Sequence, residues 1–178
     1  MIISLVRHFK VDLPPQKIFI NSEDFRQSME DYDSSPVIKK EININPNDWG
    51  KCYTSTMQRA VTTAKAIYPG EIILCDDIRE VQMYPRFKSN LRFPSISWGI
   101  LARIGWYRSH QSQAEDKNHT KNRIDKFFNT ITVNNEDNIL VVTHVFFMRL
   151  LAARLKKEGF EGKCDLIPKN GAMYIFKK

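Results

Sequence analysis

Residues 2–8 read Ile2-Ile3-Ser4-Leu5-Val6-Arg7-His8, and residues 139–144 read Ile139-Leu140-Val141-Val142-Thr143-His144. Each is a short, almost wholly apolar run that stops at a histidine. Such runs are expected of strands covered on both faces by helices. Three further segments have strand character: Lys51–Thr54, Glu71–Cys75 and Ala172–Phe176. Three others read as helices. Thr56–Tyr68 follows Ser55 and stops at Pro69-Gly70, while Lys117–Thr132 aligns Ile124, Phe127, Phe128 and Ile131 on one stripe. Phe146–Glu158 places Leu150, Leu151 and Leu155 in the same way before Gly159. Strands alternating with helices predict an α/β fold, a three-layer sandwich with a largely parallel central sheet flanked by helices.

The 178 residues suffice for one compact domain with a real core, and too few remain for a second ordinary one. A composition of 42% hydrophobic and 26% charged residues, with 7 Gly and 8 Pro, excludes disordered, collagen-like and coiled-coil classes. No apolar run approaches the roughly 18 residues of a membrane span. No basic stretch precedes the apolar start, so no signal peptide is expected. The cysteines (Cys52, Cys75, Cys164) are odd in number, far apart and without zinc-ligand spacing. They predict reduced thiols, a cytoplasmic protein and no metal.

No repeat or linker divides the chain, so residues 1–178 are read as a single domain. Two stretches fit the alternating scheme poorly: about 12–47, broken by Pro14, Pro15, Pro36 and Pro46, and about 81–112, broken by Pro85 and Pro94. Both are read as excursions that cover the active site and carry substrate contacts. Trp98–Tyr107 is expected to include a short helix. The net charge is +7, and between Val81 and His110 stand Arg86, Lys88, Arg92, Arg103 and Arg108 with no acidic residue. That segment is either a solvated basic face or a surface that attracts anions.

His8 and His144 follow two apolar strands directly. In an open α/β sheet, residues just past the carboxyl ends of parallel strands converge on the binding crevice. If both strands are central and parallel, the two histidines face each other. His110 and His119 lie in polar loops and read as surface residues. Arg7 precedes His8, and Arg59 falls in the first turn of the helix after Lys51–Thr54. Ser55 with Gln58 three positions later predicts a capping box at that helix start. A helix N-terminus with Arg59 beside it suits phosphate oxygens, so the set predicts a pocket for a tetrahedral dianion.

These residues resemble the blocks of the histidine phosphatase (phosphoglycerate mutase-like) superfamily. Leu5-Val6-Arg7-His8 is similar to its opening signature, normally Arg-His-Gly. Tyr53-Thr54-Ser55-Thr56-Met57-Gln58-Arg59-Ala60, followed by Thr63-Ala64, resembles the block supplying the second phosphate-binding arginine. Ile78-Arg79-Glu80 is similar to the segment with the acidic catalytic residue, and Val141-Val142-Thr143-His144 to the one with the second histidine. Asn170-Gly171-Ala172 before the last strand also has the family's look. The blocks follow family order and span Ile3 to Phe176.

The resemblance implies a phosphoglycerate mutase-like fold and a short, phosphatase-type member. It implies that His8 is the nucleophile, forming a phosphohistidine, and that its other ring nitrogen donates to a backbone carbonyl. Arg7, Arg59 and His144 would hold the non-bridging oxygens, with Glu80 as acid and then base. A salt bridge from Glu80 to Arg79 or Arg86 is the structural alternative. No cofactor or metal is implied. The departures are Phe9 where glycine is usual, Lys10-Val11-Asp12 without the usual small polar group, and Val145-Phe146-Phe147 after the second histidine. Lys10 could substitute as a point charge, and the second-histidine loop should form a tighter, apolar pocket floor.

The expected function is hydrolysis of a phosphomonoester on a small anionic metabolite, with Arg86 and Arg92 binding extra negative charge. No membrane partner is expected, and nucleic acid is the less favoured one. A mutase fits less well, because only 63 residues separate Glu80 from His144. A non-catalytic binder of phosphorylated ligands or nucleic acid is the rival, suggested by Phe9 and by the mixture of basic and aromatic residues in 81–112.

Overall fold

A computed structural model describes residues 1–42, 44–133 and 138–178. In chain order the main elements are β1 (Ile2–Arg7), α1 (Ser22–Ser34), β2 (Lys51–Ser55), α2 (Gln58–Ile67), β3 (Ile72–Cys75), α3 (Ser95–Tyr107), α4 (Lys117–Val133), β4 (Asn138–Thr143), α5 (Val145–Lys157), β5 (Glu161–Gly162) and β6 (Met173–Lys177). The chain divides into two compact units, Met1–Val11 with Pro36–Glu80 and Arg123–Lys178, and Asp12–Ser35 with Val81–Asn122. The second unit thus holds most of the two expected excursions. Pro36–Asn47 belongs to the first unit instead, and residues 113–122 to the second.

The first unit is built on one six-stranded sheet in the order β3-β2-β4-β1-β6-β5. β3, β2, β4 and β1 run parallel, and β6 pairs antiparallel with β1 and with β5. The expected largely parallel sheet is therefore present, with the two apolar strands adjacent at its centre. Alternation along them explains the layers. Ile3, Leu5, Ile139 and Val141 face Phe127 and Ile131 of α4 and Phe147, Leu151 and Leu155 of α5. Val6, Leu140 and Val142 face Ala60, Ala64 and Ile67 of α2. Complete burial of such side chains stabilises by about 1.5–3 kcal/mol each. All three cysteines are free, and burial pushes the Cys52 thiol up to about 12. Among the described residues no helix is long and apolar enough to cross a membrane.

The second unit has its own small core of Ile20, Phe25 and Trp98, lined by Met29, Met83 and Phe93. Trp98 donates its indole N–H to the Ile20 carbonyl at 2.9 Å. α3 is longer than the expected Trp98–Tyr107. α1 lies in a stretch that reads as irregular from its prolines. It is held by a capping box in which the Asn21 side chain accepts from the Asp24 amide at 2.8 Å and the Asp24 carboxylate accepts from the Asn21 amide at 3.4 Å.

Phe9, where a glycine was expected, is 1% exposed and packs into the α2 side of the sheet. Its backbone is not left-handed, since Ser109 is the one described non-glycine residue with positive φ. The bulk is housed by Gly171, at φ +70°, where an added Cβ would stand 3.3 Å from the Phe9 ring and 3.2 Å from Ile42. Gly171→Ala should therefore lower stability by about 1–2 kcal/mol, the left-handed penalty for an L-residue, plus whatever the ring contact adds. Urea unfolding of the two proteins measures this. An unchanged midpoint would mean that neither constraint acts.

Candidate active site

β1 and β4 pair in register with Arg7 opposite Thr143, so the next residues, His8 and His144, emerge side by side. The His8 amide donates to the Thr143 carbonyl at 3.0 Å. The imidazole centroids lie 5.1 Å apart with the planes tilted by 52°. Both residues are buried, at 1% and 0% exposed.

The His8 Nδ1 lies 2.6 Å from the Phe9 carbonyl oxygen. A carbonyl only accepts, so Nδ1 carries the proton and Nε2 keeps its lone pair. Burial, aided by the charges of Arg59 and Arg7 and opposed by the Phe9 bond, lowers the pKa of His8 to about 3. The ring is therefore neutral at ordinary pH. His144 is held well below its usual range, first by burial and then by Arg59.

Arg59, in the first turn of α2, is 2% exposed and donates from Nε to His144 Nδ1 at 3.2 Å. A guanidinium cannot accept, so His144 carries its proton on Nε2 and donates to Ser55 Oγ at 2.8 Å. Ser55 also accepts from the Met57 amide at 3.2 Å. The expected Ser55–Gln58 capping box is accordingly absent. Ser55 ends β2, Met57 is the cap residue with no side-chain cap bond, and the serine hydroxyl serves His144. Arg7 donates from Nη1 to the Pro168 carbonyl at 2.7 Å, and its Nε is buried without a hydrogen-bond partner.

Glu80 follows β3 and a 3-10 turn, and its carboxylate reaches the start of α5. Its two oxygens accept from the Phe146 amide at 3.1 Å and the Phe147 amide at 3.0 Å. A carboxylate there complements the positive end of the helix. Arg79 pairs with Asp76 at 3.3 Å. The Glu80 loop is tied to the site by Thr143 Oγ1, which donates to the Ile78 carbonyl at 2.7 Å, and by Arg123, which donates to the carbonyls of Asp77 and Arg79. Of the loop after His144, Phe147 is fully buried in the core, while Val145 and Phe146 are half-buried.

Arg7, His8, Arg59, Glu80 and His144 thus all stand at the carboxyl edge of the sheet in the first unit. Lys10 is exposed on a two-residue strand pairing with Val37–Ile38. Arg86 and Arg92 belong to the second unit. Ser55, Thr63 and Arg123 are supporting residues that the sequence reading did not assign. Thr63 Oγ1 accepts from the Phe9 amide at 2.9 Å and donates to the Arg59 carbonyl at 2.7 Å, joining the segment after β1 to the start of α2. Ser55 and Thr63 lie within the stretch 53–64 that carries the resemblance, whereas no local pattern marks Arg123. Among the described residues no group of three His, Cys, Asp or Glu side chains is placed to hold a metal ion.

The arrangement sets a neutral, buried imidazole close to the charges of Arg59 and Arg7, the latter with an unpartnered buried N–H. A model of the histidine phosphatase superfamily, branch 1, matches residues 3–177. No curated protein shows significant sequence similarity. Among solved structures, phosphoglycerate mutase from Bacillus anthracis is similar at TM-score 0.58 and 15% identity, covering 99% of this chain and 88% of that one. A mycobacterial glucosyl-3-phosphoglycerate phosphatase follows at 0.56 and 13%, covering 98% and 88%. An alpha-ribazole phosphatase from Shigella flexneri stands at 0.52 and 16%, covering 98% and 89%. These identities speak to the fold.

The lowered histidine pKa makes stability depend on pH. As pH falls through 6.5, the unfolded chain protonates His8, whereas the folded protein resists until about 3. Stability from this group is therefore complete above about 6.5 and lost toward 3, on the order of 1.4 kcal/mol per pH unit. His144 acts in the same direction. Denaturant unfolding at pH 7.5 and 5.5 should show this loss, reduced in His8→Gln. Equal slopes for the two proteins would refute the account.

Proposed function

The chain belongs to the histidine phosphatase superfamily, branch 1, and from that premise we propose that it is a phosphomonoesterase working through a phosphohistidine at His8. The observation that most supports this reading is the state of that ring: buried, neutral, and with its Nδ1 proton committed to Phe9, so that the basic nitrogen is Nε2.

In this reading Nε2 attacks phosphorus in line with the ester oxygen. The N–P bond forms as the ester P–O bond breaks, and the leaving oxygen takes a proton from Glu80 acting as acid. Water then attacks the phosphohistidine and gives its proton to the Glu80 carboxylate. The N–P bond breaks, releasing inorganic phosphate and restoring His8. Arg7 and Arg59 hold the non-bridging oxygens, and the Arg7 Nε, buried without a protein partner, supports that role. His144 faces His8 and fixes Arg59 through Nδ1; with its one N–H given to Ser55, it serves the cradle by holding Arg59 and not by its own bond to the phosphate oxygens expected from the resemblance.

The substrate class is a small phosphorylated metabolite. Support comes from the names of the structural neighbours, which include phosphatases for a ribazole phosphate and a glucosyl phosphoglycerate. The five unbalanced basic residues between Val81 and His110 favour a substrate with a second anionic group, bound with help from Arg86, Arg92 and Lys10.

Wild type should hydrolyse an aryl phosphate between pH 4.5 and 8, and acid quenching should trap a phosphoenzyme. His8→Ala should abolish both, and Arg59→Ala should cost on the order of 10²–10³ in kcat/KM. Hydrolysis that survives His8→Ala would overturn the reading, and wild type without turnover would favour a binding domain. Interconversion of phosphoglycerates outpacing hydrolysis would make the protein a mutase. Neutralising Arg86 and Arg92 together should raise KM for a doubly anionic substrate more than it lowers kcat, and an unchanged KM would remove the charge argument.

A further inference from the structure

We propose that Asn170 is the positioning residue that holds His8 in its nucleophilic tautomer, an inference that rests on the phosphohistidine reading above. The ring of His8 is oriented by the carbonyl of the very next residue, at 2.6 Å. A bond this local forms only if the peptide after Phe9 is turned so that its oxygen points back at the ring. Nothing in the His8-Phe9 sequence enforces that turn.

The amide of Asn170 supplies the constraint. Its Nδ2 donates to the His8 carbonyl at 2.8 Å and to the Phe9 carbonyl at 3.3 Å. Both partners are acceptors only, so the NH2 group must be the one facing them. Successive carbonyls of an extended strand point in opposite directions. Here two of them converge on one group, and their dipoles repel unless a double donor lies between them. The Phe9 oxygen is therefore shared by the ring proton of His8 and an amide proton of Asn170. Loss of the second would free it to swing away from the first.

The backbone places Asn170 there reliably. Val6 of β1 pairs with Met173 of β6, so the residues before Met173 run alongside those after Val6. The Gly171 amide donates to the Arg7 carbonyl at 2.9 Å, and Arg7 Nη1 returns a bond to the Pro168 carbonyl at 2.7 Å. Segment 168–171 thus straps residues 7–9 at three consecutive positions, and Asn170 is the side chain in the strap that reaches the nucleophile's own peptides. With the strap cut, the proton can move to Nε2, and that nitrogen then has no lone pair to offer phosphorus, while the one on Nδ1 is turned toward residue 9.

The test compares wild type with Asn170→Asp, which keeps the shape and removes both donors, and with Asn170→Ala, which adds no charge. Proton–nitrogen spectra of histidine-labelled protein, with the His8 signals identified by their loss in His8→Ala, report which nitrogen carries the proton. Wild type should hold it on Nδ1, and both variants should shift toward Nε2. Phosphoenzyme formation from an aryl phosphate should slow about 10–100-fold, the range for removing a group that orients a site ligand. The inhibition constant of inorganic phosphate should change far less, because Arg7 and Arg59 remain. An unaltered His8 spectrum would overturn the proposal. So would a loss of phosphate binding in step with the rate, or failure of both variants to fold, since each marks a purely structural role. If wild type itself forms no phosphoenzyme, the functional reading falls, while the spectra still decide what Asn170 does.

Discussion

The parallel pairing of β1 with β4, with Arg7 opposite Thr143, is the constraint on which the site depends. It brings two residues 136 positions apart to the same edge (144 − 8 = 136) and leaves their rings 5.1 Å from one another. A slip of one residue would send every side chain of a strand to the opposite face. Ile3 and Leu5 would leave the α4 and α5 layer and Val6 the α2 layer, so the two cores and the histidine pair are secured by the same register.

What the register assembles is costly on its own. Two imidazoles and Arg59 are almost fully buried, and an Arg7 N–H is buried without a partner. Desolvation is answered differently by the two residue types. The histidines give up their charge, as burial drives their pKa down, whereas arginine cannot deprotonate and carries its charge into the interior. The result is a site where the imidazoles are neutral and the guanidinium groups keep their charge, the electrostatic setting that the proposed phosphohistidine chemistry requires. Ser4 Oγ and Trp49 Nε1 are also buried without a hydrogen-bond partner, and the Arg7 Nε differs from them in belonging to a charged group beside His8.

Legibility followed periodicity. β1 and β4 announced themselves as apolar runs, and α4 and α5 as stripes of Ile, Phe and Leu facing one layer. α1 did not, because Ser22 and Phe25 are its only buried residues and its polar remainder is flanked by prolines. The Asn21–Asp24 box was the available sign. Ser55 shows the opposite failure. Its spacing to Gln58 fits a local cap, yet its hydroxyl accepts from His144, 89 residues away, because the pairing of β2 with β4 sets the two strand ends side by side. Phe9 looked like an intrusion at a glycine site and is housed by the missing side chain of Gly171.

By itself the amino-acid order determined the class of fold, the central strands, the family blocks and the residue types at the site, because these depend on apolar periodicity and on short stretches read locally. Tertiary structure alone decided the hydrogen-bond pattern: which nitrogen of each histidine holds its proton, which hydroxyl receives the one on His144, and which distant amide bonds the carbonyls of His8 and Phe9. Those outcomes depend on burial and on hydrogen-bond partners such as Asn170, which pairing of β6 with β1 brings beside His8 and which no local pattern can specify.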